Sequence, residues 1–186
     1  MSRTSVCPWQ AGSALNMAPR KLFHNPHRML GKYISQEMTV MDVGCGMGYF
    51  TFPMALMAGT KGKVIAVDLQ QEMLAGMQKK TDDAGVGNNI IPVNCSGASL
   101  CIENWAGIID FALVFMMLHE VPDQPGIIRE LYAALSPKGK LLFAEPIIHV
   151  KRAEFDQSLK VMQHTGFHVL DTPSIPICRA AVLAKR

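Results

Sequence analysis

The chain has 186 residues, a net charge of +3, and 49% hydrophobic against 18% charged residues. That balance fits a single domain with a sizeable core and excludes a disordered or strongly charged protein. No apolar run approaches the roughly 18–20 residues that cross a bilayer. The five cysteines contain no Cys-x-x-Cys pair, and the start is polar, so a reduced, cytoplasmic protein with no structural metal is expected.

Residues 1–37 carry five basic residues against Glu37 alone. This segment lacks the dense basic and aromatic pattern of a nucleic-acid surface, which argues against such a partner. Residues 1–25 show no period and contain Pro8, Gly12 and Pro19, as an irregular arm would. Asn25-Pro26 reads as a helix cap followed by proline at the first helical position, with Met29, Leu30, Tyr33 and Ile34 as the apolar stripe and Gly31 weakening it. The first strand, Thr39–Val43, runs directly into Gly44-Cys45-Gly46-Met47-Gly48. Glycines at alternate positions let a backbone turn sharply and approach a ligand closely. A helix with Phe50, Met54 and Met57 follows and stops near Gly59. The second strand, Val64–Val67, ends in Asp68.

Helix Gln70–Ala84 carries Met73, Leu74 and Met77 on one face, and Ile90–Val93 is a short third strand. After an irregular stretch, residues 94–104, the run from Phe111 to Leu118 is apolar throughout, as a strand buried on both faces would be. Asp123 caps a helix with Ile127, Ile128, Leu131 and Leu135 inward. Ser136-Pro137-Lys138-Gly139 breaks it before strand five, Lys140–Ala144. A helix over Arg152–Thr165 ends at Gly166, and Phe167–Leu170 and Ala180–Ala184 are the last strands. Parallel neighbours need a long crossover, so this last pair is expected to be an antiparallel hairpin.

A strand, glycine turn, helix, strand and acid in this order describe half of a nucleotide-binding α/β fold. Asp42-Val43-Gly44-Cys45-Gly46-Met47-Gly48 resembles motif I of the class I S-adenosylmethionine-dependent methyltransferases. Val64–Asp68 resembles their second motif, and Phe111–Val121 with Gly139–Pro146 resemble their fourth and fifth strands. Leu118-His119-Glu120-Val121-Pro122-Asp123 is most similar to the small-molecule branch that includes quinone-biosynthesis enzymes. The resemblance implies an α/β, Rossmann-like sheet of seven mostly parallel strands in the order 3-2-1-4-5-7-6, with helices on both faces and a C-terminal antiparallel hairpin. It also implies S-adenosyl-L-methionine as cofactor and methyl transfer to a small-molecule acceptor. A dehydrogenase spaces its glycines as G-x-G-x-x-G; here Tyr49 stands where the third would fall, which disfavours an NAD-dependent oxidoreductase. A donor-binding subunit or regulator without catalysis is the other alternative.

On this resemblance Gly44, Gly46 and Gly48, with Cys45 between, pass under the methionine moiety and present backbone N–H groups. Asp42 organises the loop, Asp68 accepts the ribose hydroxyls, Leu69 covers adenine, and Ser96 stands where many relatives place an adenine-reading aspartate. Chemistry belongs at the ends of strands four and five. His119 is the candidate base or substrate-orienting group, because imidazole titrates near neutrality, or else it braces the pocket wall. Glu145 could bind the acceptor or pair with a lysine, and His149 follows it. Cys7, Cys95, Cys101 and Cys178 match no ligand spacing for metalloid chemistry. Little chain is left to cover the site except residues 1–37. That arm, including Phe23, His24 and Tyr33, is expected to pack over the donor or swap across a homodimer, unless a partner protein completes the lid.

Overall fold

In the computed structural model the described residues are 23–84 and 87–185. Three short or amphipathic helices and four strands fill the first two thirds: α1 Pro26–Leu30, β1 Thr39–Val43, α2 Thr51–Ala58, β2 Lys63–Asp68, α3 Gln71–Ala84, β3 Ile90–Asn94 and β4 Ile109–Phe115. Then come α4 Gln124–Ala134, β5 Leu135–Pro146, α5 Arg152–Thr165, β6 Phe167–Asp171 and β7 Cys178–Lys185. Single 3-10 turns occupy Glu103–Trp105 and Leu118–Glu120. The strands form one sheet in the order β3-β2-β1-β4-β5-β7-β6. β1 to β5 are parallel, while β7 lies antiparallel to both β5 and β6. The expected order and the antiparallel end are both present.

Side chains alternate across the sheet and build a core on each face. Met41, Val43, Ile65, Val67, Ala112, Val114 and Phe143 pack with Ile127, Ile128 and Leu131 of α4 and Phe155 and Met162 of α5. Val40, Val64, Phe111, Leu113 and Leu142 pack with Leu30, Phe50, Met54 and Ala58 of α1 and α2. The central strands are apolar in both directions, which is why the run after Asp110 is a strand as far as Phe115. Met116 then turns at φ 57° and Leu118 opens the 3-10 turn, so the strand stops short of the end of the apolar run.

Caps are where the sequence placed them. The Asn25 side chain accepts from the Arg28 amide, Asp123 accepts from the Gly126 amide, and Gly166 ends α5 in a left-handed conformation at φ 117°. Two expectations need correcting. The first helix closes at Leu30, with Gly31 as its cap, so Tyr33 leaves the helical stripe and stacks instead on Phe111 at 5.6 Å. Strand five begins at Leu135, well before Lys140, and absorbs Ser136–Gly139 as a register shift against β4. The breaker residues make a bulge where a loop was expected.

The expectation that an N-terminal arm covers the donor falls for residues 1–22 outside the described residues. Of the remainder, His24 is buried and bonds the Pro176 carbonyl through Nε2 at 3.0 Å, while its own carbonyl accepts from the Tyr49 hydroxyl at 2.9 Å. Among the described residues no helix is long and apolar enough to cross a membrane.

Candidate active site

A cavity of about 430 Å³ opens over the C-terminal ends of β1, β2 and β4. Strand order reverses there, because β1 is flanked by β2 on one side and β4 on the other, and such a switch point leaves a crevice between diverging loops. The size suits a cofactor with a small second molecule.

At the β1–β2 end the glycine loop is fastened to the tip of β2. The Gly44 and Cys45 amides both donate to the Val67 carbonyl, at 2.9 and 3.0 Å, and the Gly46 amide donates to Asp68 Oδ2 at 2.8 Å. The Gln70 amide donates to the other oxygen, Oδ1, at 2.9 Å. The loop amides of Gly44, Cys45 and Gly46 are therefore engaged within the protein. Gly44 and Cys45 tie the loop to the end of β2, and Gly46 with Gln70 fixes the carboxylate of Asp68 at the cavity wall. Burial raises the Asp68 pKa, and the hydrogen bonds from Gln70 and Gly46 work against that shift. Two backbone amides thus hold a partly desolvated carboxylate at the wall of the cavity.

The glycines differ in purpose. A Cβ on Gly44 would lie 2.9 Å from Met117 Cβ, and one on Gly48 would lie 2.7 Å from the Phe52 ring and 3.0 Å from Met77. Gly46, at φ 54°, has nothing within 4 Å of its missing Cβ, so its bare face opens on the cavity it lines. Asp42 is also buried at the loop entrance, and the Thr51 hydroxyl, first residue of α2, donates to its Oδ2 at 2.6 Å.

At the β4–β5 end, the turn Leu118–Glu120 brings His119 against Glu145 near the end of β5. His119 Nδ1 lies 2.6 Å from Glu145 Oε2, and its amide donates to Oε1 at 3.1 Å. Glu145 is buried while the His119 side chain remains 27% exposed and lines the cavity. The hydrogen bond to Glu145 raises the His119 pKa, against the opposing effect of burial. With Nδ1 turned to the carboxylate, the neutral ring keeps Nε2 as its acceptor. The His149 ring stacks on His119 at 6.1 Å between centroids.

Asp42, Gly44, Cys45, Gly46, Asp68, Leu69, Ser96, His119 and His149 all line the cavity. Gly48 and Glu145 do not; one packs under α2 and α3, the other stands behind His119. Ser96 is exposed, and its Oγ accepts from the Ala98 and Ser99 amides, closing a turn at the rim. The Cys45 thiol is pushed well above its ordinary pKa by burial, and Cys95 up to about 11 for the same reason. Neither is a thiolate near neutral pH, and among the described residues no group of three or more His, Cys, Asp or Glu could hold a metal ion.

Met73 and Leu100 beside Leu69, and Met116, Ile148 and Ile177 beside His119, complete the walls. Met73 stood in the sequence as a core position of its helix, and Met116 as part of the apolar run after Asp110. Leu100, Ile148 and Ile177 have no motif, since they reach the cavity through loops whose paths depend on the tertiary fold.

A twisted α/β sheet with a glycine turn after β1, an acid ending β2 and a cavity at the switch point defines a nucleotide-cofactor-binding protein of Rossmann-like architecture. More narrowly, the sequence profile of the family described as Methyltransferase domain matches residues 34–167, and the chain belongs to that family. The ubiquinone/menaquinone biosynthesis C-methyltransferase UbiE of Vibrio vulnificus is 28% identical over 131 residues, which cover 70% of this chain and 48% of the relative. The chain spans about half the length of the curated relatives it matches. In architecture it resembles a SAM-dependent methyltransferase from Aquifex aeolicus, with a TM-score of 0.84 at 21% identity over 96% of this chain and 98% of the other. A second such enzyme, from Mesorhizobium loti, gives 0.68 at 17% identity over 87% and 96%.

Proposed function

We propose that the protein is an S-adenosyl-L-methionine-dependent methyltransferase acting on a small-molecule acceptor. The observation that carries this reading is the pairing of Gly46 with Asp68. A bare glycine face opens on the cavity, and beside it a buried carboxylate is held in place by the Gly46 and Gln70 amides. Asp68 would hold the ribose hydroxyls, Leu69 and Met73 the adenine faces, and Gly44 and Gly46 the methionine moiety. When bound, the donor supplies an electrophilic methyl group on a sulfonium and departs as a neutral thioether.

The remaining tasks fall to this chain: to exclude water, align the acceptor and take its proton. His119 is the candidate base, acting through Nε2. Glu145 is a positioning residue that holds the ring through Nδ1 and the backbone through the His119 amide, and raises the basicity of the imidazole. Of the arm, His24 is proposed to brace the cavity mouth, supported by its bonds to Pro176 and Tyr49.

Calorimetry with S-adenosylhomocysteine and with NAD tests the donor half. Saturable binding of the first and none of the second is expected; the reverse would return the oxidoreductase reading. Donor turnover against fractionated small metabolites then tests transfer, and binding without any methylated product would favour a non-catalytic subunit.

A further inference from the structure

We infer that Ile177 is the specificity-determining wall of the acceptor end of the cavity, held against its own backbone preference so that its side chain meets an apolar face of the acceptor. This rests on the methyl-transfer reading above for the word acceptor, but not for the geometry.

The stretch Ile175-Pro176-Ile177-Cys178 is a tight turn leading into β7, closed by the Cys178 amide on the Ile175 carbonyl at 3.1 Å. Proline stands second, and the third residue, Ile177, has φ 56°. A turn of that pattern takes glycine or asparagine at the third position, because a Cβ there crowds the backbone. For a β-branched residue the conformation is a true outlier that persists only where its surroundings impose it.

What imposes it is backbone and neighbours. The Ile147 amide donates to the Ile177 carbonyl at 3.0 Å, the Pro176 carbonyl accepts from His24, and the Ile175 side chain is buried. None of these contacts uses the Ile177 side chain, which is 46% exposed and lines the cavity. Glycine would make the same turn with less strain, so the fold gains little from isoleucine here.

The same end of the cavity repeats the pattern. Met116, at the end of β4, also has a positive φ, 57°, and lines the cavity, and Ile148 is 78% exposed on its rim. The polar groups that share this lining are few, chiefly the imidazoles of His119 and His149 and the Glu120 carboxylate. Such a chamber takes a molecule with a flat or bulky apolar body and one polar atom that reaches imidazole.

The test compares Ile177→Gly and Ile177→Met with the unaltered chain. Two readouts are used: thermal unfolding, and fluorescence titration with 2-naphthol, a flat apolar probe with one hydroxyl, in saturating S-adenosylhomocysteine. Ile177→Gly is expected to unfold at the same temperature or about 2–4 °C higher, since relief of strain acts against the extra freedom of glycine in the unfolded chain. Its affinity for 2-naphthol should fall about tenfold, the loss of one apolar contact worth about 1.4 kcal/mol. Ile177→Met, which keeps apolar bulk without the β-branch, should stay within about threefold.

A drop of several degrees in Ile177→Gly would show that the side chain serves the fold, and would overturn the inference. So would unchanged probe affinity in Ile177→Gly, or no binding of 2-naphthol by the unaltered protein. Calorimetry of S-adenosylhomocysteine alone reports on the donor reading. If that ligand fails to bind, the donor reading falls, while the titration repeated without it still decides the role of Ile177.

Discussion

The two ends of the cavity are built on opposite terms. At the β1–β2 end Asp68 holds two backbone amides and Asp42 holds the Thr51 hydroxyl before any ligand arrives. At the β4–β5 end one hydrogen-bonded pair, buried Glu145 with part-exposed His119, stands among apolar side chains that are half exposed or held at positive φ. The first arrangement suits a ligand that is always the same, because its hydrogen-bonding groups can be met by preset partners with little left to reorganise. The second suits shape and polarity that differ from one acceptor to the next. The motifs that resemble a known family reach both ends, the glycine loop and Asp68 at the first and Leu118-His119-Glu120 at the second. The Ile177 turn has no counterpart in any of them.

The sharpest way to break that comparison is Asp68→Asn. The variant keeps the size of the side chain but removes the charge and one of the acceptor oxygens facing Gly46 and Gln70. On the proposed reading Asp68 also accepts from the ribose hydroxyls, and charge-assisted bonds contribute about 1.5–3 kcal/mol each, so affinity for S-adenosylhomocysteine should fall about 100-fold by calorimetry. The melting temperature should also fall, by about 2–4 °C, because the side-chain amide leaves the Gly46 or the Gln70 N–H without its acceptor. A large loss of stability with intact binding would place Asp68 in the framework instead.

Two glycine substitutions sharpen the same point. Gly48→Ala meets Phe52 and Met77 at a φ of 85°, and should lower unfolding free energy in urea by about 2–3 kcal/mol. Gly46→Ala meets nothing, so its cost should be only the left-handed backbone, about 1 kcal/mol. Its new methyl would project into the cavity, and donor affinity should drop about tenfold. Equal effects from the two variants would deny the division of labour between turning the chain and admitting a ligand.

Glu145→Gln probes the other end through pH. Glu145 raises the His119 pKa, so a rate that needs neutral imidazole should rise with pH through a value above the ordinary 6.5. In Glu145→Gln that limb, and the imidazole titration followed by NMR, should move to lower pH, with turnover reduced about tenfold as the ring loses its orientation. The linked stability has a definite sign. A raised folded pKa means that the contribution is fully present below about 6.5 and is lost as pH climbs through the folded value. The melting temperature of the unaltered protein should therefore fall across that window, and Glu145→Gln should lose this part of the slope. An unshifted imidazole in the variant would overturn the coupling.

Much of the fold was legible because its signals are local. Glycine after an apolar strand, Asn25 and Asp123 before proline, and an unbroken apolar run from Phe111 each dictate their own conformation through sterics or burial. The order of the strands rested on family resemblance, since spacing alone does not say which parallel strands are neighbours. Within the site, Asp68 and the loop glycines could be placed by motif. The partnership of His119 with Glu145 could not, because 26 residues separate them and only adjacency of β4 and β5 brings them together. The loop amides were expected to face the ligand and instead bond Val67 and Asp68, a competition that only the register of β1 on β2 decides.

Thr51→Val is the smallest effect and the one that tests how far the preset end extends. Asp42 lines the cavity, yet Oδ2 sits 2.6 Å from the Thr51 hydroxyl, with both residues buried. Valine keeps the shape and removes that donor, so a buried carboxylate oxygen loses one bond at a cost of about 1 kcal/mol. For a chain of this length such a loss lowers the melting temperature by about 2–4 °C. If Asp42 only braces the start of α2 against β1, donor affinity in Thr51→Val should stay within about threefold. A tenfold loss of affinity at nearly unchanged stability would mean that the Thr51 bond aims the carboxylate at the donor. The preset partners would then run from Asp68 across the glycine loop to Asp42, and the boundary between the two ends would lie at Phe115 and Met116.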